Sequence, residues 1–378
     1  MMRAYLDWNA TTPPLPEVLD AMREASRTAW ANPSSIHGDG RAARAVIEDA
    51  RASIGALVGV DPRDVVFTSG GREANNLALR SAFPIGTPPA VLVTSRLEHP
   101  SVTRVAESLE REGRASVRWL EVTRGGTVDL EDLDRALATQ EEGTPRLVTI
   151  QAVNHETGII QPVSEVIARA HAVGARVHVD AVQAWGKVHV PSGWDTASIA
   201  PHKMRGPKGI GALASRQGVR IDPVLLGGSQ EKGIRPGTAD ASLAAGFGVA
   251  ARIASDGVTR WAALAPLRDR IERELCAIDA PHGRARVAGD PTRRAPHVSN
   301  LIWPGWIGAE LVAALDLEGV SVSSGAACSA GTVEPSPVLL AMFGEGDATR
   351  GVRISIGDTT TEDDATLAVR AFRAVLTR

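Results

Sequence analysis

Cysteine is nearly absent from this chain: Cys276 and Cys328 are the only two in 378 residues, beside a single tyrosine and 4% aromatics overall. Two cysteines cannot build a disulfide framework over such a length. A cross-linked secreted scaffold is therefore excluded, and a reducing, cytoplasmic setting is expected. Neither cysteine has the CxxC or Cys/His spacing of a zinc site, so no bound metal is expected. No apolar run approaches membrane-spanning length, and the first residues, Met1 to Asp7, hold no apolar signal region. Asn9-Ala10-Thr11 matches the glycosylation triplet, which is idle without secretion. Charge of one sign is lacking too. A net charge of -3 provides no basic field, so neither membrane nor nucleic acid is an expected direct partner. Internal repeats, low-complexity tracts and flexible linkers are also missing.

What is there reads as an ordinary globular enzyme, 43% hydrophobic and 22% charged, with room for a large domain and a smaller one. β-Branched runs at Val65–Ser69, Val91–Thr94, Leu147–Ile150, Val177–Asp180 and Ala197–Ile199 read as buried strands. Helical patterns lie between them. Gly40 to Val58 sets Ala43, Val46, Ile47, Ala50, Ile54 and Leu57 on one stripe. Shorter stripes join Leu130, Leu133 and Leu137, and Val163, Val166 and Ala170. The alternation predicts an α/β fold with a mainly parallel sheet covered on both faces. After about Gly248 the texture changes. A helical pattern interrupted by Pro266 leads to Cys276, and apolar runs follow at Leu301–Trp303, Val320–Val322 and Arg353–Ile356. That predicts a smaller α+β domain.

Three segments can carry chemistry. Thr68-Ser69-Gly70-Gly71-Arg72-Glu73 follows a strand and opens a helix placed at Leu77 to Ala82, where converging N–H groups favour an anion. It has neither the Walker A lysine nor a dinucleotide fingerprint, and alone it is also an ordinary βα turn. Asp180 ends a buried strand, where open α/β sheets place ligands, although an aspartate there also serves as a cap. Lys203 ends another apolar run; its commoner fate is an exposed loop. Together the three specify pyridoxal 5'-phosphate (PLP), which needs a lysine, an acid for its ring nitrogen and an N–H-rich phosphate anchor. A fourth element, Val322-Ser323-Ser324-Gly325-Ala326-Ala327-Cys328-Ser329, sets a thiol among small residues, as a reactive cysteine requires. Cys276, in an apolar helix, has a structural setting.

Further residues extend the pattern over nearly the whole length: Tyr5-Leu6-Asp7 with Asn9-Ala10-Thr11-Thr12, Asn32-Pro33-Ser34-Ser35, Glu98-His99, Asn154 with Glu156-Thr157-Gly158, Gln183, Gly206-Pro207-Lys208-Gly209, Gln230-Glu231 and Arg235. In these positions the chain resembles the cysteine desulfurases of the NifS/IscS type, within the class V aminotransferase-like PLP enzymes. The resemblance implies a fold-type I PLP-dependent transferase. Its large domain, 16–248, would hold a mainly parallel seven-stranded sheet. A segment 1–15 would pack on a small α+β C-terminal domain, 249–378, that carries the Cys328 loop. It implies a homodimer that converts L-cysteine to L-alanine and passes sulfur to an acceptor protein. By the same resemblance Lys203 carries the cofactor, Asp180 pairs with its ring nitrogen and Gln183 with its ring hydroxyl. His99 stacks on the ring and moves protons. His202 holds the phosphate together with Thr238 of the neighbouring subunit, near Gly71. Arg353 binds the substrate carboxylate, and Cys328 takes the sulfur as a persulfide.

Several positions depart from the family pattern. Arg72 stands in place of a phosphate-binding threonine, Ala200 in place of a serine, Pro201 of a glycine and Pro236 of a serine. His155 replaces an asparagine beside cofactor and substrate, and Trp8 enlarges the N-terminal motif. Two hydroxyl donors to phosphate are thereby lost and a guanidinium is gained. A related C–S or C–Se lyase and a non-catalytic relative are the alternatives. Cys328 argues against the first, because simple elimination needs no sulfur-accepting thiol.

Overall fold

The computed structural model describes residues 3–86, 90–138, 146–325 and 334–377. The chain begins with β1 (Ala4–Tyr5), α1 (Pro16–Thr28), α2 (Gly38–Val58), β2 (Val65–Thr68), α3 (Gly71–Ala82), β3 (Ala90–Ser95) and α4 (Pro100–Arg111). It continues through β4 (Ala115–Leu120), α5 (Leu130–Ala138), β5 (Arg146–Gln151), α6 (Val163–Ala172), β6 (Arg176–Asp180), β7 (Thr196–Ile199) and β8 (Gly211–Ser215). Then follow α7 (Ala241–Ala254), α8 (Gly257–Ala262), α9 (Ala265–Cys276), β9 (Arg286–Val287), β10 (Val298–Ile302) and α10 (Gly308–Leu317). The last elements are β11 (Val320–Ser321), α11 (Pro337–Phe343), β12 (Gly351–Ser355) and α12 (Glu362–Leu376).

Seven strands form one sheet in the order β2-β8-β7-β6-β5-β3-β4, and β8 alone runs antiparallel to its neighbours. Helices cover both faces, as a parallel sheet requires. One face packs on α1, α2, α5, α6 and α7 through residues such as Ala43, Ile47, Ile54, Leu133, Val166 and Phe247. The other packs on α3 and α4 through Leu77, Leu79, Val102, Val105 and Leu109. A separate core joins Ala4 and Leu6 to α9, α10, α12 and the strands β10 and β12. The N-terminal segment is stitched into it. β1 pairs in parallel with β11, and Ser355 exchanges main-chain hydrogen bonds with Leu6 and Trp8.

The five expected strands occur, each within a residue or two. Two others escape the pattern. β8 is Gly-Ala-Leu-Ala-Ser, buried throughout yet without a β-branched residue. β4 is an edge strand that exposes Ser116 and Arg118, which dilutes its apolar signal. Helix α3 starts at Gly71, earlier than the apolar residues alone indicate, so Arg72 and Glu73 occupy its first turn. Pro266 does not interrupt a helix; it sits in the first turn of α9, where its missing N–H is no loss. Val46 and Leu57 of the α2 stripe are half-buried, and its deeper members are Ala43, Ile47, Ala50, Ile54 and Val58.

A buried ion pair anchors the loop that leads to Thr238. Arg51 on α2 meets Glu231 through two hydrogen bonds of 2.7 Å, and also donates to the Val65 carbonyl at 2.7 Å. Glu231 accepts from the Phe67 N–H at 2.9 Å. Glu231→Ala leaves the Arg51 guanidinium, buried beneath β2, with the exposed Glu48 at 3.1 Å as its remaining carboxylate partner and without its two shortest hydrogen bonds. Unfolding in urea is expected to lose about 1.5–3 kcal/mol. A loss under about 1 kcal/mol is the value of a solvent-screened pair and would contradict this account.

Candidate active site

The carboxyl ends of β2, β3, β5, β6 and β7 converge, and the turn after each brings one polar group. Lys203 follows β7, Asp180 closes β6, His99 lies beyond β3, Gly71 beyond β2, and His155 beyond β5. Open α/β sheets bind ligands at this edge.

Lys203 is held by main-chain oxygens. Its Nζ donates to the Asn9 carbonyl at 2.6 Å and the Ala10 carbonyl at 3.0 Å. Burial lowers its pKa from the ordinary 10.5 to about 8, with Arg353 and Arg72 pushing the same way and Asp7 and Asp180 opposing. A lysine poised there has a substantial neutral fraction near pH 8 and can act as a nucleophile or proton carrier.

Asp180 is buried and fully engaged. Oδ2 accepts from Asn75 at 2.8 Å, and Oδ1 from the Val182 N–H at 3.1 Å and from Ser198 at 3.3 Å. Asn75 also donates to Ser101 at 2.8 Å and meets His178 Nε2 at 3.0 Å. Ser101 in turn meets His99 Nδ1 at 2.8 Å. Because Nδ1 of His99 accepts the Ser101 N–H at 3.0 Å, the neutral ring carries its proton on Nε2. Burial drives the His99 pKa down to about 4 against the pull of Asp180. His155 lies edge-on to His99 at 5.2 Å; burial also keeps it neutral, and its Nδ1 has no partner.

Arg353, buried on β12, donates to the His155 carbonyl at 2.8 Å and to Asp7 at 2.6 Å, while its Nε is unpartnered. Gln183 donates to the Asn9 carbonyl at 2.9 Å. His202 meets Thr11 at 3.2 Å, and burial first, then neighbouring lysines, lower its pKa to about 3. Arg72 is exposed, yet its charge reaches His99, His202 and Lys203. Gly71 is a close approach: a Cβ there would stand 2.6 Å from Val182 Cγ2. Lys203, Asp180, His99, His155, Gln183, His202, Gly71 and Arg353 thus share one region with the field of Arg72. Thr238 is exposed on the loop anchored by Glu231. Cys328 lies outside the described residues. Cys276, half-buried at the end of α9, has its thiol pKa raised by burial.

Three groups in the site were not singled out from sequence. Asn9 uses every polar atom it has: its N–H donates to Ser355 Oγ, its carbonyl accepts from Lys203 and Gln183, Nδ2 donates to the His155 carbonyl, and Oδ1 meets His297. Asp7 pairs with Arg353. Glu98 accepts from the Gln151 N–H at 2.8 Å, and burial raises its pKa to about 8. Asn9 and Asp7 were visible only as members of the N-terminal motif, and Glu98 only as the neighbour of His99.

The arrangement fits a phosphorylated carbonyl cofactor. It offers a half-buried amine, a fixed carboxylate, a glycine approach at a helix start and buried nitrogens that lack partners. The sequence model of the family described as Aminotransferase class-V matches residues 4–367. A cysteine desulfurase of Cereibacter sphaeroides is 40% identical over 366 residues, covering 96% of this chain and 92% of its own. Among solved structures, a NifS-like protein superposes with a TM-score of 0.90 at 31% identity, covering 99% of both chains. SspA in complex with cysteine gives 0.81 at 29% identity, covering 95% of this chain and 100% of its own.

The buried histidines make stability pH-dependent. His99 and His178 are displaced to about 4 by burial, whereas in the unfolded chain they titrate near 6.5. Below that value the unfolded state binds protons that the folded state refuses. Glu98 and Glu156, raised by burial, oppose this by holding protons in the folded state. His155, His202 and His297 are lowered as well, so five histidines outweigh two carboxyls. Unfolding free energy is therefore expected to fall between about pH 6.5 and 4, by at most about 1.4 kcal/mol per pH unit for each histidine not offset. Urea titrations at pH 7, 6 and 5 measure it, and a flat or rising profile contradicts the assignment.

Proposed function

The chain belongs to the class-V aminotransferase family, among its cysteine desulfurases, and from that membership we propose that it holds PLP at Lys203 and moves sulfur from L-cysteine to Cys328. The observation that carries this reading is the half-buried Lys203 amine. It is displaced toward neutrality, bound only to carbonyl oxygens, and lies in the fields of Asp180, Arg353 and Arg72.

Bound PLP supplies an electron sink for bonds at the substrate's α-carbon. The protein's residues do the rest. Asp180, fixed by Asn75, Ser198 and the Val182 N–H, holds a proton on the cofactor ring, and Gln183 offers a donor to the ring hydroxyl. The phosphate is met by the start of α3 at Gly71, by Arg72 and His202, and by Thr238 of a second copy. Arg353 takes the substrate carboxylate in a two-pronged contact, the geometry guanidinium favours, with His155 beside it. Neutral His99 and the Lys203 amine move protons. The Cys328 thiolate bonds to the substrate sulfur as that sulfur leaves its carbon, and the remainder takes up protons to leave as L-alanine. The flanks of the Cys328 segment support its role. Ser323 exchanges main-chain hydrogen bonds with Arg353, and Ser336 donates to buried Glu156 at 2.5 Å. The structure of SspA with cysteine supports the substrate.

The same reading divides the chain into a segment 1–15, a large PLP-binding domain 16–248 and a small domain 249–378, in a cytoplasmic homodimer that serves a sulfur-acceptor protein. Trp30, Ile36, Leu225 and Leu226 are exposed, at 75%, 88%, 55% and 88% accessibility, and are apolar side chains of the kind a second copy covers. Among the described residues no helix is long and apolar enough to cross a membrane, and no metal cluster is found.

Lys203→Ala is expected to lose both alanine production and the yellow, borohydride-bleached colour of bound PLP. Cys328→Ser should retain the colour yet accumulate no persulfide by mass spectrometry, while Cys276→Ser behaves as wild type. Persulfide on Cys276 would overturn the assignment of Cys328.

Arg72 tests the altered phosphate site separately. A charge-assisted hydrogen bond contributes about 1.5–3 kcal/mol, so Arg72→Ala is expected to weaken PLP retention by about 10- to 100-fold. Arg72→Thr, with the family residue, should weaken it less. Equal retention on dialysis by wild type and Arg72→Ala removes the side chain from the phosphate site.

A further inference from the structure

The chain contains only four lysines, Lys187, Lys203, Lys208 and Lys232, and two of them are linked inside the site. Lys187 is 1% exposed, one of the largest fully buried side chains, and the chemistry described above does not use it. A buried ammonium normally has a carboxylate partner. Here Nζ donates to Gln183 Oε1 at 3.3 Å and sits 4.9 Å from the centre of the Trp261 ring. The placement is built into the fold. Residues 182–187 form a turn in which Trp185 and Val188 close helical i,i+4 hydrogen bonds to Ala181 and Ala184. Gln183 and Lys187 therefore share one face. Gly186, at φ +72, lies where a Cβ would stand 2.7 Å from that of Ala254, which seats the turn on α7 and brings α8 with Trp261 over the lysine. Trp261 in turn packs edge-on against His297, whose Nε2 meets Asn9.

This connectivity links the two amines. The Asn9 carbonyl can only accept, so Gln183 must present its amide nitrogen there, which leaves Oε1 for Lys187. The same carbonyl receives Lys203. Gln183 and Lys203 thus share one acceptor, and Lys187 holds Gln183 in the orientation that occupies it.

We propose that Lys187 is a positioning residue for the reaction, acting through the amide of Gln183 and the carbonyl of Asn9 to set how strongly the Lys203 amine holds its proton. With Lys187 in place, Gln183 competes for the Asn9 oxygen and the ammonium form of Lys203 is less well solvated. Without it Gln183 Oε1 loses its donor and only the Asn9 oxygen orients the amide, so the Gln183 bond to that oxygen is held less firmly and more of its acceptor strength goes to Lys203. Burial lowers the pKa of Lys187 well below the ordinary value, with the charges of Lys203 and Arg353 adding to it. Its own charge reaches His202 and His297. The Asn9, Gln183, Trp261 and His297 groups around it include no carboxylate to offset this.

The inference rests on Lys203 as the cofactor-bearing lysine, but the test uses ligand-free protein and so fails independently of that reading. Competitive labelling with acetic anhydride, read on the Lys203 peptide by mass spectrometry, gives the titration midpoint of the amine. Lys187→Met is expected to raise it by about one pH unit, a tenfold change in proton affinity. Gln183→Met should raise it similarly, and the double variant no further, because both break one link. In the loaded enzyme Lys187→Met should lower kcat about tenfold and leave KM for cysteine within twofold. If Lys187→Met fails to fold, Lys187→Gln, whose amide accepts either orientation of Gln183, should shift the midpoint in the same direction. A midpoint unmoved in the folded Lys187 variant overturns the proposal, even if its melting temperature falls, because packing alone then accounts for the residue.

Discussion

An amine half-buried at the carboxyl end of a parallel sheet gives up much of its water and regains hydrogen bonds from the protein. For Lys203 that solvation comes from the carbonyls of Asn9 and Ala10, in a segment that begins nearly two hundred residues earlier in the chain. Main-chain oxygens solvate a proton without contributing a full negative charge. A carboxylate in their place would hold Lys203 as a permanent ammonium. The amine instead titrates near 8, within reach of neutral pH. Delivering those carbonyls requires the N-terminal segment to lie across the turn after β7. Thr12 accordingly donates its N–H and hydroxyl to the His202 carbonyl, each at 3.0 Å, and accepts the Arg205 N–H at 2.8 Å. Arg205 holds a left-handed conformation at φ 67, uncommon for a residue with a side chain, just after the lysine.

The surroundings follow the same logic of burial without compensating charge. His99, His155, His178 and His297 are all pushed toward neutrality, and Glu98 and Glu156 toward the protonated form. Neutral imidazoles can accept and return a proton, whereas charged ones would repel Lys203 and Arg353. Three donors engage the oxygens of Asp180, so its position is fixed by hydrogen bonds and not by a counter-ion. A protonated Glu98 near Asp180 adds no second negative charge there.

Arg353 joins the two cores. It stands on β12 in the core that holds Ala4 and Leu6, yet its guanidinium reaches Asp7 and the His155 carbonyl beside the large sheet. Its main chain pairs with Ser323, at the flank of the segment carrying Cys328. A ligand that drew Arg353 away from Asp7 would therefore act on both the N-terminal segment and that flank. Glu156 reinforces the connection, since its carboxyl accepts from Ser336 and lies directly beneath Gly325.

Much of the site was legible because its chemistry is local in sequence. Gly71, Asp180 and Lys203 each close a recognisable apolar strand, and alternation alone announced the parallel sheet. What stayed hidden is carried by backbone atoms or by residues with an ordinary alternative fate. Asn9 acts mainly through its carbonyl, an atom every residue has, and Lys187 resembles any surface lysine until the turn at 182–187 buries it under Trp261. β8 was hidden because small residues suffice where neighbouring strands cover both sides. The sequence by itself determined the type of sheet, the residue types that end its strands and the presence of Arg72 and His155 among them. Only the tertiary structure decided which oxygens solvate the amines, since proximity between residues 9, 183, 187 and 203 arises when the chain ends its strands at one edge. Protonation followed from that, because burial and shared acceptors are properties of the packed site and of no single residue.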